Sequence, residues 1–249
     1  MKTEKQTRKK YQKEGEYGPG IGRSHTKKQM EITQKYKQER FNLSDTLSAR
    51  TYNLIIGMVV VSGFAVNALM AIYFKEQILA LNPIFVLIAF FVGVIGCSIG
   101  VYKSNSPVIS YIFFLLMSVC LGLLLVFYLT AYTQADIALA MIITGVITGG
   151  MMLAAVAYPG FFLSIGRGLF LALIFSVIVE LIFRMLLGFQ MNFMDYIVAT
   201  IFSLYIGYDW ARAQQYPKTA DNAVDSAADI YVDIVVLFMR ILSIVGRND

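Results

Sequence analysis

Seven apolar runs, each close to the length of a membrane-crossing helix and separated by short polar breaks, constrain this chain more than any other feature. A helix needs about 20 apolar residues to cross the hydrocarbon core of a bilayer. The runs fall at about 52–74, 83–102, 108–130, 137–158, 167–187, 193–210 and 224–245. The breaks between them are 75–82, 103–107, 131–136, 159–166, 188–192 and 211–222. The runs do not alternate polar with apolar residues as barrel strands do, and an unpaired backbone group in lipid costs several kcal/mol, so the spanning element is helical. A chain that is 57% hydrophobic and 15% charged excludes a water-soluble domain. The predicted fold is an all-α integral membrane protein, with a membrane domain at 49–249.

Residues 1–50 hold thirteen of the 21 Lys and Arg but six of the 16 Asp and Glu, which makes a +7 tail on a −2 body. The segment 1–48 is rich in Lys, Glu and Gln and lacks apolar periodicity over most of its length, so it is expected to be disordered. A solvated tail is the simpler reading, and contact with anionic lipid headgroups is the functional one. The basic residues place the amino terminus in the cytoplasm, with Lys103, Arg167, Arg212 and Lys218 on the same side and Lys75, Arg184 and Arg247 on the other. Seven crossings then put the carboxyl terminus outside, unless the last and least hydrophobic run is re-entrant. The first apolar run begins near Tyr52, so no cleaved targeting peptide is expected. With no organelle-retention signal visible, a prokaryotic plasma membrane is the expected location.

The last run carries the most specific pattern. Asp221, Asp225, Asp229 and Asp233 recur every four residues and form a slowly winding acidic stripe, drifting about 40° per step on a helix. Arg240 returns to the face of Asp233 seven residues later. A carboxylate at bilayer depth must face the bundle interior or a wet cavity and find a partner or a proton. Asp209, at the end of the sixth run, is the predicted partner of Asp233: on antiparallel helices the two would share a proton and titrate as a unit. Asp221 and Asp225 fit the solvated start of a helix, where acids suit the dipole. Asp225 and Asp229 also continue the stripe as a candidate ion path.

Glu180 and Arg184 are spaced for an ordinary i,i+4 ion pair, and with Asp195 they alternatively mark an outer vestibule of the path. Gly96-x-x-x-Gly100 and Gly145-x-x-x-Gly149 fit close helix contacts. Tyr52, Tyr208 and Trp210 suit the membrane interface. Cys97 and Cys120 lie in apolar runs and read as packing residues. His25, the single histidine, sits in the tail, so zinc and iron sites, a Ser/His/Asp triad and enzymatic function are all unsupported, and no cofactor is expected. The aspartates instead suit a hard cation, with Ca²⁺ bound at or passing Asp209 and Asp233.

At these residues the sequence resembles the Bax-inhibitor family, in its bacterial type. The stretch that carries the likeness is Phe202-Ser203-Leu204-Tyr205-Ile206-Gly207-Tyr208-Asp209, followed 24 positions later by the aspartate of Ile230-Tyr231-Val232-Asp233-Ile234-Val235-Val236-Leu237-Phe238. The resemblance implies a seven-helix bundle with the last helix central, and a pH-sensitive calcium leak in which Asp209 and Asp233 are sensor and gate. It also implies a basic latch after the second helix. Lys103 is the residue near that place, and Arg212 and Arg240 are the other basic candidates. The second run lacks the acid that some relatives carry, and Asp209-Trp210-Ala211 replaces the usual Asp-Thr-Gln.

The leading expectation is thus a passive, pH-modulated cation pathway. The alternative is a regulatory protein that binds a membrane protease or another membrane partner without conducting, and it would depend on the basic tail. A proton-coupled transporter would show internal repeat symmetry, which the sequence does not display convincingly. The expected partners are the lipid bilayer and, under the second reading, other membrane proteins; no nucleic acid is expected.

Overall fold

Apolar runs of Leu, Ile, Val and Phe, bounded by good capping residues, fold as helices throughout the described part of the chain. The computed structural model describes residues 46–187 and 192–247. Within them lie eight helices: α1 Ala49–Tyr73, α2 Lys75–Leu79, α3 Pro83–Lys103, α4 Pro107–Leu129, α5 Gln134–Ala157, α6 Pro159–Leu187, α7 Asn192–Ala213 and α8 Ala220–Val245. Ser48 caps α1 by accepting from the Thr51 amide at 3.1 Å. Asn82 caps α3 ahead of Pro83, and Thr133 and Asp136 form a capping box on α5. Five helices, α1, α3, α4, α5 and α6, are long and apolar enough to cross a membrane. The tail reading for 1–45, His25 included, lies outside the described residues.

The helix ends depart from the sequence reading in three useful places. The expected break at 159–166 is helix: α6 starts at Pro159, a first-turn position that proline's fixed φ suits, and Tyr158 alone separates it from α5. The first break contains α2. More important, α7 runs three residues beyond Trp210 and α8 starts four residues earlier than expected, capped by Thr219, which accepts from the Asn222 amide at 3.2 Å. Arg212, Asp221 and their neighbours are therefore held on helices rather than in a loop.

The last helix lies at the centre of the bundle. α8 packs against α1, α3, α4, α5 and α7, and every residue from 221 to 228 is buried. Ala223, Ser226, Ala227 and Ala228 keep this half of α8 slim enough for neighbours on all sides. Tyr52, expected at the interface, is instead fully buried, with its hydroxyl 3.2 Å from the Ala213 carbonyl and 3.1 Å from the Ser226 hydroxyl. It ties α1 to the α7–α8 turn. The Lys218 ammonium, over the Tyr52 ring, donates to the Gln214 carbonyl at 2.9 Å, and burial holds its pKa below the usual lysine range.

Close packing in the centre falls on glycines other than the paired ones. Gly96, Gly145 and Gly149 have open space where a Cβ would stand, so neither expected pair is a tight helix crossing, and only Gly100 lies under a ring, that of Phe113. Gly63 of α1 is where the core closes. A Cβ there would lie 2.8 Å from both the Phe114 and the Tyr231 ring. Both side chains are fully buried, and the Tyr231 hydroxyl accepts from the Asn67 amide at 2.6 Å. Overpacking a site whose neighbours cannot yield costs about 1–3 kcal/mol. Gly63→Ala is accordingly expected to lower the thermal unfolding midpoint of the purified protein, whereas Gly145→Ala, facing open space, should leave it unchanged.

Candidate functional site

Helix geometry puts Arg212 one turn beyond Asp209, on the same face of α7. One guanidinium nitrogen of Arg212 stands 3.1 Å from the Asp209 carboxylate and also donates to Asp229 of α8. From α3, the Tyr102 hydroxyl donates to the other Asp229 oxygen. Across the α7–α8 interface the Asp209 and Asp233 carboxyls are neighbours, close enough for each charge to act on the other. Asp233 Oδ2 is buried and has no hydrogen-bond partner among the described residues. Asp209 and Asp233 are each 7% exposed.

Two carboxyl groups share a hydrogen bond only if one carries a proton. Three carboxyls, Asp209, Asp229 and Asp233, face one guanidinium, so the fully ionised cluster would hold a charge excess of −2 in a place with little water. A proton between Asp209 and Asp233, or a cation beside them, relieves it. Among the described residues no group of three or more His, Cys, Asp or Glu is arranged to hold a metal ion. The two carboxyls also fall short of the roughly six to eight oxygens that Ca²⁺ takes.

The reading of Asp221 and Asp225 as solvated helix-start residues is corrected. Both are buried, at 5% and 7% exposure, and Asp221 accepts from the Ser110 hydroxyl of α4 at 2.8 Å. The acidic stripe is thus buried at Asp221, Asp225 and Asp233 and half-buried at Asp229, because α8 is central and slim there. Tyr102 and Ser110 had no local signal in the sequence, since they sit 127 and 111 positions from the aspartates they serve. Arg212 could be found from its i,i+3 spacing to Asp209.

Glu180, Asp195 and Arg240 come together elsewhere. Arg240 grips both oxygens of Glu180, at 3.3 and 3.0 Å, and one oxygen of Asp195 at 2.7 Å. Ser243 donates to Asp195 at 2.8 Å, and Arg247 pairs with it too. Glu180 thus meets Arg240 across helices; the side chain of Arg184, its expected i,i+4 partner, lies outside the described residues. Arg240 is not a latch on the aspartate pair: seven residues of helix put it about 10 Å beyond Asp233. Lys103 is not one either. It is exposed and has no carboxylate partner among the described residues. Tyr208 stacks under Arg212 with 5.4 Å from guanidinium carbon to ring centroid, and its own ring fills the space over Gly166.

With this geometry in view, two similarities to known proteins bear on the chain. A family model described as inhibitor of apoptosis-promoting Bax1 matches residues 45–249. The match takes in all eight described helices and leaves out the basic tail. An uncharacterised membrane protein of Streptococcus pyogenes serotype M6 is 27% identical over 216 residues, covering 81% of this chain and 92% of its own. Together with the apolar helices, these matches mark a multi-pass membrane protein.

Proposed function

Since this chain belongs to the Bax-inhibitor family, we propose that it is a seven-span protein of a prokaryotic plasma membrane, its amino terminus cytoplasmic, that lets cations, Ca²⁺ foremost, leak under control of protons. The observation that carries this reading is Arg212 of α7 held between Asp209 on its own helix and Asp229 of α8. Arg212 ties α7 to α8 through Asp229, and ionised Asp209, one turn back on the same helix, holds the guanidinium in place for that contact, so the bundle stays closed. Protonating Asp209 in addition to Asp233 frees the guanidinium from that hold, loosens its reach to Asp229 and lets α7 part from α8. Falling pH therefore opens the path. α7 and α8, too charged to meet the apolar measure of a span, cross the bilayer because α8 is wrapped by other helices. The process involves no catalysis and no resident cofactor.

Arg212→Gln tests the latch. A hydrogen bond to a charged group is worth about 1.5–3 kcal/mol, so removing it should raise Ca²⁺ flux near neutral pH about tenfold in protein-loaded liposomes. Arg212→Lys should fall between the two, because an ammonium keeps the charge but sits on a shorter, strongly hydrated side chain that holds both carboxylates less well. A flux unchanged in Arg212→Gln sinks the latch.

The family is named for inhibition rather than transport, and this favours a second reading: a regulator that binds a membrane protease or another membrane partner. That reading needs the basic tail at 1–45, and the leak does not.

A further inference from the structure

The turn between α3 and α4 borders a groove that the proposed ion path does not use. Its space is about 640 Å³, and it opens outward between the end of α3 and the start of α4. Gly96, Ile99, Ile109 and Phe113 form its apolar walls, and Lys103 stands at its rim beside Asn105. Nothing lies within 4 Å of where a Gly96 Cβ would be, so the missing side chain cuts a notch into the α3 surface. Gly96 is seven residues before Lys103, which sets the notch about 10 Å deeper along the helix than the ammonium. Lys103 and Asn105 are exposed, and neither has an ion pair or hydrogen bond among the described residues. Residues 96–113 contain no Asp or Glu.

We propose that this groove binds one anionic phospholipid, its phosphate on Lys103 and an acyl chain laid along the Gly96 notch between Ile99 and Ile109. The division of the groove fits that occupant. Lys103 ends a helix of 21 residues, so its ammonium stands at headgroup level, while the apolar walls run down into the hydrocarbon. Basic pockets between membrane helices take anionic headgroups in this way, and a zwitterionic lipid brings no net charge for the lysine. The volume falls within the range of about 300–1,000 Å³ typical of small-molecule sites, enough for a headgroup and the first part of a chain. The inference stands apart from the proposed leak, because none of these residues touches the aspartate pair.

Native mass spectrometry of the full-length protein in detergent tests this, with dioleoylphosphatidylglycerol, dioleoylphosphatidylcholine and inorganic phosphate as separate probes. The parent should retain one phosphatidylglycerol that phosphatidylcholine does not replace and that phosphate does not displace. Lys103→Ala should weaken that lipid about fivefold, as expected for the loss of one cation near an anionic headgroup. Gly96→Leu, which fills the notch and leaves the lysine, should weaken it as well. The basic tail is the same in all three proteins, so lipid held by the tail cancels in the comparison. Parent-like retention in folded Lys103→Ala overturns the proposal. So does equal retention of phosphatidylcholine, which marks ordinary boundary lipid, or displacement by phosphate, which marks a free-anion site.

Discussion

Asp233→Asn is expected to leave Ca²⁺ flux low and nearly flat between about pH 8 and about pH 6, where the parent's flux rises about tenfold, the effect of a protonation coupled to opening by about 1.4 kcal/mol. An asparagine amide donates to Asp209 at every pH, so the contact across α7 and α8 persists while Asp209 stays ionised and held by Arg212. Asp209→Asn should do the opposite. It removes the charge, 3.1 Å away, that holds the guanidinium in place for its contact with Asp229, so flux should be high and equally flat. The opposite directions are the informative part, because a substitution that merely loosened the bundle would raise flux in both. Flux measured on liposomes of each variant, after thermal unfolding has shown that each is folded, checks the pair. Two variants that both kept the parent's pH response would remove Asp209 and Asp233 from any sensing role.

Arg240→Ala is expected to cost stability of the order of 3 kcal/mol, the usual penalty for stranding a poorly solvated charge. The side chains of Arg240, Glu180 and Asp195 are 25%, 23% and 14% exposed, so water compensates only in part. Arg240 is also the residue through which α8 holds α6, and Arg247 stays on Asp195 when it is gone. The thermal midpoint should therefore drop sharply in Arg240→Ala and recover part of the loss when Glu180→Gln is added, since one of the two carboxylates that lost Arg240 is then neutral. Because Arg240 sits about 10 Å along α8 from Asp233, protein that remains folded should keep its pH response. A single variant as stable as the parent would show the cluster to be a surface ion pair of little worth.

What could be read in the sequence was what neighbouring residues decide among themselves. Apolar runs are local, and so were the helices they make. Asp209 and Asp233 drew attention because two acids in apolar surroundings have few places to go, and antiparallel neighbours bring them level. The 159–166 segment misled because Pro159, Gly160, Ser164 and Gly166 look like a loop, whereas Pro159 starts a helix that carries them. Asp221 and Asp225 misled for a different reason. Acids in a first helical turn are normally solvated, and only a central α8 made slim by Ala223, Ala227 and Ala228 buries them. Partners such as Tyr102 for Asp229 and Glu180 for Arg240 depend on which helix lies beside which, and nothing within either helix records that.

Ca²⁺ flux into liposomes holding the purified parent protein, stepped from about pH 8 to about pH 6 beside empty liposomes, tests the proton-controlled leak most directly. Flux above the empty liposomes that climbs as the pH falls is the expected result. Folded protein that passes no more Ca²⁺ than empty liposomes, or passes it equally at every pH, contradicts it.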